Sequence, residues 1–187
     1  MLDLPNLYRP GITFAGCVAQ QSSASLATIE AALDYGKPRQ IIEIGTGHGG
    51  LTLYLGTWAL HNDAHVHTFD NHDKLLTNTL RLFNRFEIQR HIADVFDDTF
   101  TLIIKLLASD EPTMLFCDGG NKHKELIRYA GLVKPGDVVG CHDWASEVCP
   151  TTVSPMMAKL GYRELFDGKE VMAEGYMAMF WQRVTVQ

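Results

Sequence analysis

The sequence predicts an α/β fold: a mostly parallel seven-stranded sheet, helices on both faces, and an antiparallel hairpin at the C-terminus. Three observations carry this. Strand-like and helix-like stretches alternate over residues 40–141, the pattern of parallel strands linked by crossover helices. The run Ile41-Ile42-Glu43-Ile44-Gly45-Thr46-Gly47-His48-Gly49-Gly50 reads as an apolar strand, a glycine-rich turn and a helix start. Residues 162–166 and 177–184 read as two strands with no helix between them, and strands joined by a loop usually pair antiparallel.

In chain order, residues 1–21 carry Pro5, Pro10, Gly11 and Gly16 and read as an irregular arm that covers a site or a partner subunit. Residues 22–36 form an N-terminal helix, stopped by Gly36-Lys37-Pro38. The core runs over 38–187. Its first five strands are 40–44, 65–70, 88–93, 113–117 and 137–141. The helices between them are 50–60, 73–86, 99–108 and 122–133, and a short helix is expected at 155–160. No repeat or linker divides the chain, so a single domain over 1–187 is expected.

The net charge of -6 argues against a general nucleic-acid binder, which clusters positive charge against phosphates. No apolar run approaches the roughly 20 residues of a membrane span, so no membrane partner is expected. Met1-Leu2-Asp3-Leu4-Pro5 has no basic region or signal-like core, and a cytoplasmic location is expected. Cys17, Cys117, Cys141 and Cys149 form no C-x-x-C pair and read as small buried thiols.

The glycine turn satisfies G-x-G-x-x-G, a spacing that lets backbone approach a nucleotide-sized ligand. Glu43 stands two residues before Gly45. A carboxylate there repels a pyrophosphate and suits a cationic group. Asp70-Asn71 ends the second strand, where an acid binds ribose hydroxyls. Asp94-Val95 follows the third strand, where an acid accepts from an adenine amino group.

Together these segments resemble the class I S-adenosylmethionine-dependent methyltransferases. Glu43-Ile44-Gly45-Thr46-Gly47 resembles their motif I, and Asp70 stands at their ribose-binding acid. Asp94-Val95 resembles their adenine-side motif, and Lys134-Pro135-Gly136-Asp137 their turn before strand five. The resemblance covers residues 38–184 and implies a Rossmann-like fold. It implies cofactor contacts from Glu43, Gly45, Thr46, Gly47, Asp70, Asn71, Asp94, Val95 and Asp118.

A second constellation lies at the ends of strands four and five. Phe116-Cys117-Asp118-Gly119-Gly120-Asn121 ends one, and Gly140-Cys141-His142-Asp143-Trp144 ends the other. Both fall on the carboxyl edge of the sheet, where open α/β folds bind ligands. Asp118, His142 and Asp143 are candidate metal ligands. Oxygen donors with open positions suit Mg²⁺, and a histidine shifts the preference toward Mn²⁺. The bland alternative is a plain turn at Asp118-Gly119 and a helix cap at Asp143.

The pairing resembles the cation-dependent O-methyltransferases, whose catechol, sugar and cephalosporin-hydroxylase-like branches carry acidic ligands at these ends. Where the catechol branch has its basic lysine stands Asn121, followed by Lys122 and His123. Candidate catalytic residues are therefore Asp118, Lys122, His123 and His142. The resemblance implies S-adenosylmethionine and a divalent ion, methylating a small hydroxylated acceptor, with a homodimer as one way to close the site. Readings kept beside it are a metal-independent methyltransferase, an NAD-dependent oxidoreductase, a non-catalytic cofactor-binding protein and a metal-dependent hydroxylase on the same fold.

Other signals are discounted. His61, His65, His67 and His72 cluster without zinc-site spacing. Arg81, Arg85 and Arg90 with Phe83 and Phe86 read as a solvated face over core. Trp144 either walls the acceptor site or packs beneath it.

Overall fold

In the computed structural model, which describes residues 12–173 and 177–184, the chain opens with a small antiparallel hairpin. Its strands are β1 (Ile12–Phe14) and β2 (Cys17–Ala19). This corrects the irregular arm expected there. The turn is made at Ala15 and Gly16, both left-handed at φ 49° and 80°, which matches the twist of a tight hairpin. Residues 1–11 of the expected arm lie outside the described residues.

Helix α1 (Ser23–Gly36) starts where Ser22 accepts a hydrogen bond from the Ser25 amide. It ends where Lys37 turns left-handed and its N–H reaches Leu33 O, just ahead of Pro38. Then follow β3 (Gln40–Ile44), α2 (Gly50–Asn62), β4 (His65–Asp70), α3 (Thr77–Arg85) and β5 (Gln89–Ile92). Next come α4 (Leu102–Leu107), β6 (Thr113–Cys117), α5 (Lys122–Tyr129) and β7 (Val138–Cys141). The chain closes with α6 (Pro150–Lys159), β8 (Tyr162–Glu164), α7 (Gly168–Ala173) and β9 (Met179–Arg183).

Several elements differ from expectation, among them α4, which starts at Leu102 rather than at 99. Helix α3 starts four residues late, because Asp73 instead receives the Leu75 amide and pairs with Arg90 at 2.6 Å. Helix α6 starts earlier, at Pro150, whose fixed φ and missing N–H suit a first turn. A short helix, α7, stands between the last two strands where none was expected. The two strands are shorter than their apolar runs, and Phe166 and Val171 join the core from outside them.

The sheet order is β5-β4-β3-β6-β7-β9-β8. The first five strands are parallel, and β9 runs antiparallel to both β7 and β8. Strands β3, β6 and β7 are buried at every position, as parallel strands covered on both faces must be. Two apolar clusters fill the two faces. One is built on Phe69, Leu115, Tyr129 and Trp181, the other on Ile29, Leu53, Phe83 and Phe180. Cys117 and Cys141 are buried as expected, but Cys149 is exposed and Cys17 only half-buried, and all four are free thiols.

Register then places the site. Ile44 pairs with Cys117, and Cys117 with Cys141. The next residues, Gly45, Asp118 and His142, therefore leave the sheet side by side. Ladder bonds continue one step beyond the strands: Gly45 N to Phe69 O at 2.7 Å, Asp118 N to Ile44 O at 2.8 Å, and His142 N to Cys117 O at 3.2 Å. The chain moves outward in opposite directions from β3 and β6, so the crevice between them is the switch point where such sheets bind ligands. Among the described residues no helix is long and apolar enough to cross a membrane.

Candidate active site

The glycine turn forms the floor of the crevice. Gly45 has φ 103° and Gly47 φ 52°. A Cβ on Gly45 would stand 2.7 Å from the amide nitrogen of Gly119, so only glycine lets the turn lie against the end of β6. At Gly50 a Cβ would stand 2.5 Å from the Ala19 nitrogen, because the N-terminal hairpin is laid directly on the start of α2. Asp70 ties the turn to β4: its Oδ2 accepts from Gly47 N at 2.9 Å and its Oδ1 from His72 N at 2.9 Å.

A cavity of about 680 Å³ opens over this floor. Gly45, Thr46, Gly47, Asp70 and Asn71 line one side, with Asp94 and Val95 beyond. Asp118, Lys122, His142 and Asp143 line the other. His123 does not line it, and neither does Glu43.

Glu43 is fully buried. Its Oε2 accepts from Thr52 Oγ1 at 2.6 Å and from Thr68 Oγ1 at 2.5 Å, and Thr68 in turn bonds Thr46 at 2.7 Å. The carboxyl thus meets the cavity through two hydroxyls rather than directly. Burial, against the help of the two threonines, pushes its pKa up to about 8. The carboxyl is 4.5 in the open chain, so folding favours its protonated form. That stabilisation is complete below pH 4.5 and is lost as pH rises through about 8. Relative to Glu43→Gln, the wild type should lose on the order of 3 kcal/mol between pH 5 and pH 8. Urea unfolding of both proteins across that range measures it, and a constant difference would sink the claim.

At the other side, Asp118, His142 and Asp143 present ligand atoms that all lie within 4.8 Å of one another. His142 Nδ1 is 3.4 Å from Asp118 Oδ1 and 3.3 Å from Asp143 Oδ1. Neighbouring ligands around a small octahedral ion at about 2.1 Å lie roughly 3 Å apart. The donor set is mixed oxygen and nitrogen, with His142 Nδ1 facing both carboxylates. The three residues therefore fit a divalent cation.

Local backbone aims them. Asp143 and Ala145 are both left-handed, at φ 56° and 65°, a conformation costly for non-glycine residues. The Asp143 carbonyl repays this by accepting from the amides of Ser146, Glu147 and Val148. Asp143 therefore anchors a compact loop and does not cap a helix. Trp144 packs beneath the site, edge-on to Trp181 with ring centres 5.3 Å apart.

Lys122 is the cation within this acidic group. It is nearly buried and sits 2.9 Å from Asp143 Oδ2, 3.0 Å from Glu147 Oε2 and 3.0 Å from Gly119 O, with Asp118 at 3.9 Å. Burial opposes its charge, but bonds to Asp143 and Glu147 outweigh it and hold the ammonium above its ordinary range. Burial also opposes a charged His142, yet its bonds to Asp118 and Asp143 push it up to about 9. The bond from His142, assisted by Lys122 against burial, holds Asp143 down to about 2.

Three residues at the site were not singled out from the sequence. Glu147 reaches it only because the 143–148 loop is compact. Glu125, pushed up to about 7 by burial against its bonds to the Asn121 and Gly119 amides, braces the Asp118 loop. An Asn followed four residues later by Glu at a helix start was the available hint. Gln21 arrives from the N-terminal hairpin and donates to Asp118 Oδ2 at 2.6 Å.

No protein-family model and no curated protein sequence matches the chain. Solved structures do. The apo structure of CmcI-N160 matches with a TM-score of 0.67 at 16% identity, over 94% of this chain and 77% of that one. The CmcI-D160 structure with Mg and SAM matches with a TM-score of 0.62 at 14% identity, over 93% and 77%. The O-methyltransferase TomG from Streptomyces achromogenes, in complex with SAM, matches with a TM-score of 0.54 at 19% identity, over 87% and 79%. The chain therefore has the Rossmann-like class I methyltransferase fold, with its antiparallel closing hairpin.

Proposed function

We propose that this protein is an S-adenosylmethionine-dependent methyltransferase that methylates a hydroxyl of a small molecule with the help of a divalent cation. The observation that carries the reading is the convergence of Asp118, His142 and Asp143 beside a glycine turn at the switch point. The shared fold supports the choice of donor. So does the charge of the crevice: Asp70 and Asp118 flank the turn, which disfavours the pyrophosphate of a dinucleotide.

Gly45 and Gly47 let the donor lie on the backbone. Each oxygen of Asp70 already accepts one amide and keeps a lone pair for a ribose hydroxyl. Asp94 Oδ1 accepts from Phe96 N at 2.9 Å, leaving its second oxygen for an adenine amino group. When bound, the donor supplies a sulfonium methyl and a cation such as Mg²⁺ or Mn²⁺ lowers the pKa of the acceptor hydroxyl. Asp118, His142 and Asp143 would hold that cation. Lys122, kept charged by its oxygen partners, fixes the carboxylates and is not the base. The chain's main contribution is orientation of the two reactants.

Lys122 also favours a second reading. It already bridges Asp143 and Glu147 with a built-in positive charge, so the site can be balanced without a metal. Chelation separates the two. Methyl transfer from labelled donor to a panel of catechols and sugar hydroxyls should fall at least ~100-fold in EDTA and return with Mg²⁺ or Mn²⁺. Turnover unchanged by EDTA selects the metal-free reading.

A further inference from the structure

The N-terminal hairpin brings one side chain into the site that the proposed chemistry has not yet used. Gln21 is 1% exposed and lines the cavity. Its Nε2 donates to Asp118 Oδ2 at 2.6 Å. A carboxylate only accepts, so the amide orientation is fixed by chemistry. Oε1 is therefore turned away from Asp118, and it is buried with no hydrogen-bond partner among the described residues. A buried acceptor left unmade is costly unless a ligand completes it.

The position of Gln21 says which donor completes it. The hairpin lies on the glycine turn: Gln20 Oε1 would touch a Cβ on Gly47 at 3.3 Å, and the Val18–Ala19 backbone covers Gly50. Gln21 thus stands between that turn and Asp118, over the floor assigned to the methyl donor. The carboxylates of Asp70 and Asp118 line the same cavity, and both act on the buried Glu43. An acceptor oxygen beside a carboxylate suits an ammonium.

We propose that Gln21 is a positioning residue that links the methyl donor to the metal ligand: Oε1 accepts from the donor's α-ammonium while Nε2 holds Asp118. This rests on the proposed donor. It has a structural consequence. The carboxamide on Oδ2 turns the Asp118 carboxylate so that Oδ1, the oxygen carrying no hydrogen bond from Gln21, faces His142. One side chain then fixes both the donor's amino-acid end and the orientation of the Asp118 carboxylate.

The test compares two ligands by calorimetry in EDTA: adenosylhomocysteine and its analogue lacking the α-amino group. The proteins are the wild type and Gln21→Met, which keeps length and apolar bulk. The wild type should prefer the full ligand by about 10–100-fold, the range for a hydrogen bond to a charged group. In Gln21→Met that preference should shrink about tenfold, with the deamino analogue bound within about threefold of wild type. Should Gln21→Met not fold, Gln21→Asn keeps the amide, draws it back by one methylene, and should shrink the same ratio. An unchanged ratio in a folded variant overturns this inference while leaving the proposed function standing. A wild type that binds neither ligand overturns both.

Discussion

Asp118→Ala should lose methyl transfer by at least ~100-fold while binding adenosylhomocysteine within about tenfold of the wild type. Asp118 is the meeting point of the site. Its Oδ1 faces His142 at 3.4 Å and Lys122 at 3.9 Å, and its Oδ2 receives Gln21. Removing it takes away one of the three proposed cation ligands and leaves Gln21 Nε2 without its acceptor. Lys122 keeps Asp143 and Glu147, so the fold should survive, with a melting point lowered by a few degrees at most. In the proposed function the donor's adenosine end rests on Asp70, Asp94 and the glycine turn, and the bonds of Asp70 to Gly47 and of Asp94 to Phe96 do not involve Asp118. Labelled-methyl transfer with calorimetry on the same preparation measures both quantities. Equal loss of both would mean that Asp118 holds the structure together rather than the chemistry.

The second large effect is structural. Gly45→Ala should lower the melting point by about 5–10 °C and remove detectable donor binding. Two costs coincide at this position. The backbone has φ 103°, which a side chain adopts only with strain. The new Cβ would also stand 2.7 Å from the Gly119 amide nitrogen, and backbone at the end of a central strand cannot move aside without pulling Asp118 with it. Gly131→Ala is the control. It meets nothing within 4 Å and should melt within about a degree of the wild type. Similar melting of the two variants would show that the turn tolerates a side chain and that its tight approach to β6 is not essential.

The parts of the fold written in residue type were legible before the structure. Strands β3 and β6 fall where they were read, because a strand covered on both faces is mostly apolar. The convergence of Asp118 with His142 was legible for a related reason. Each residue directly follows a buried strand, and parallel neighbours in register end together. Elements that depend on tertiary contact were not legible. Strands β1 and β2 are three residues each and exist by packing on α2, with only Ala15-Gly16 to mark the turn. Gln21 reaches the site through that hairpin, so no local pattern announced it. Glu43 shows the opposite failure. Its motif was read as a carboxylate beside the ligand, but its side chain turns into the interior onto Thr52 and Thr68, and its influence on the turn passes through Thr46.

The central claim is that the methyl donor and a cation share this crevice, with the sulfonium end turned toward Asp118, His142 and Asp143. Nuclear relaxation of bound S-adenosylmethionine in the presence of Mn²⁺ tests it directly. The methyl protons should relax far faster than the adenine protons. The effect should vanish on adding EDTA and in Asp118→Ala, where the donor is still bound. Bound donor whose methyl protons show no greater relaxation than its adenine protons would contradict the account.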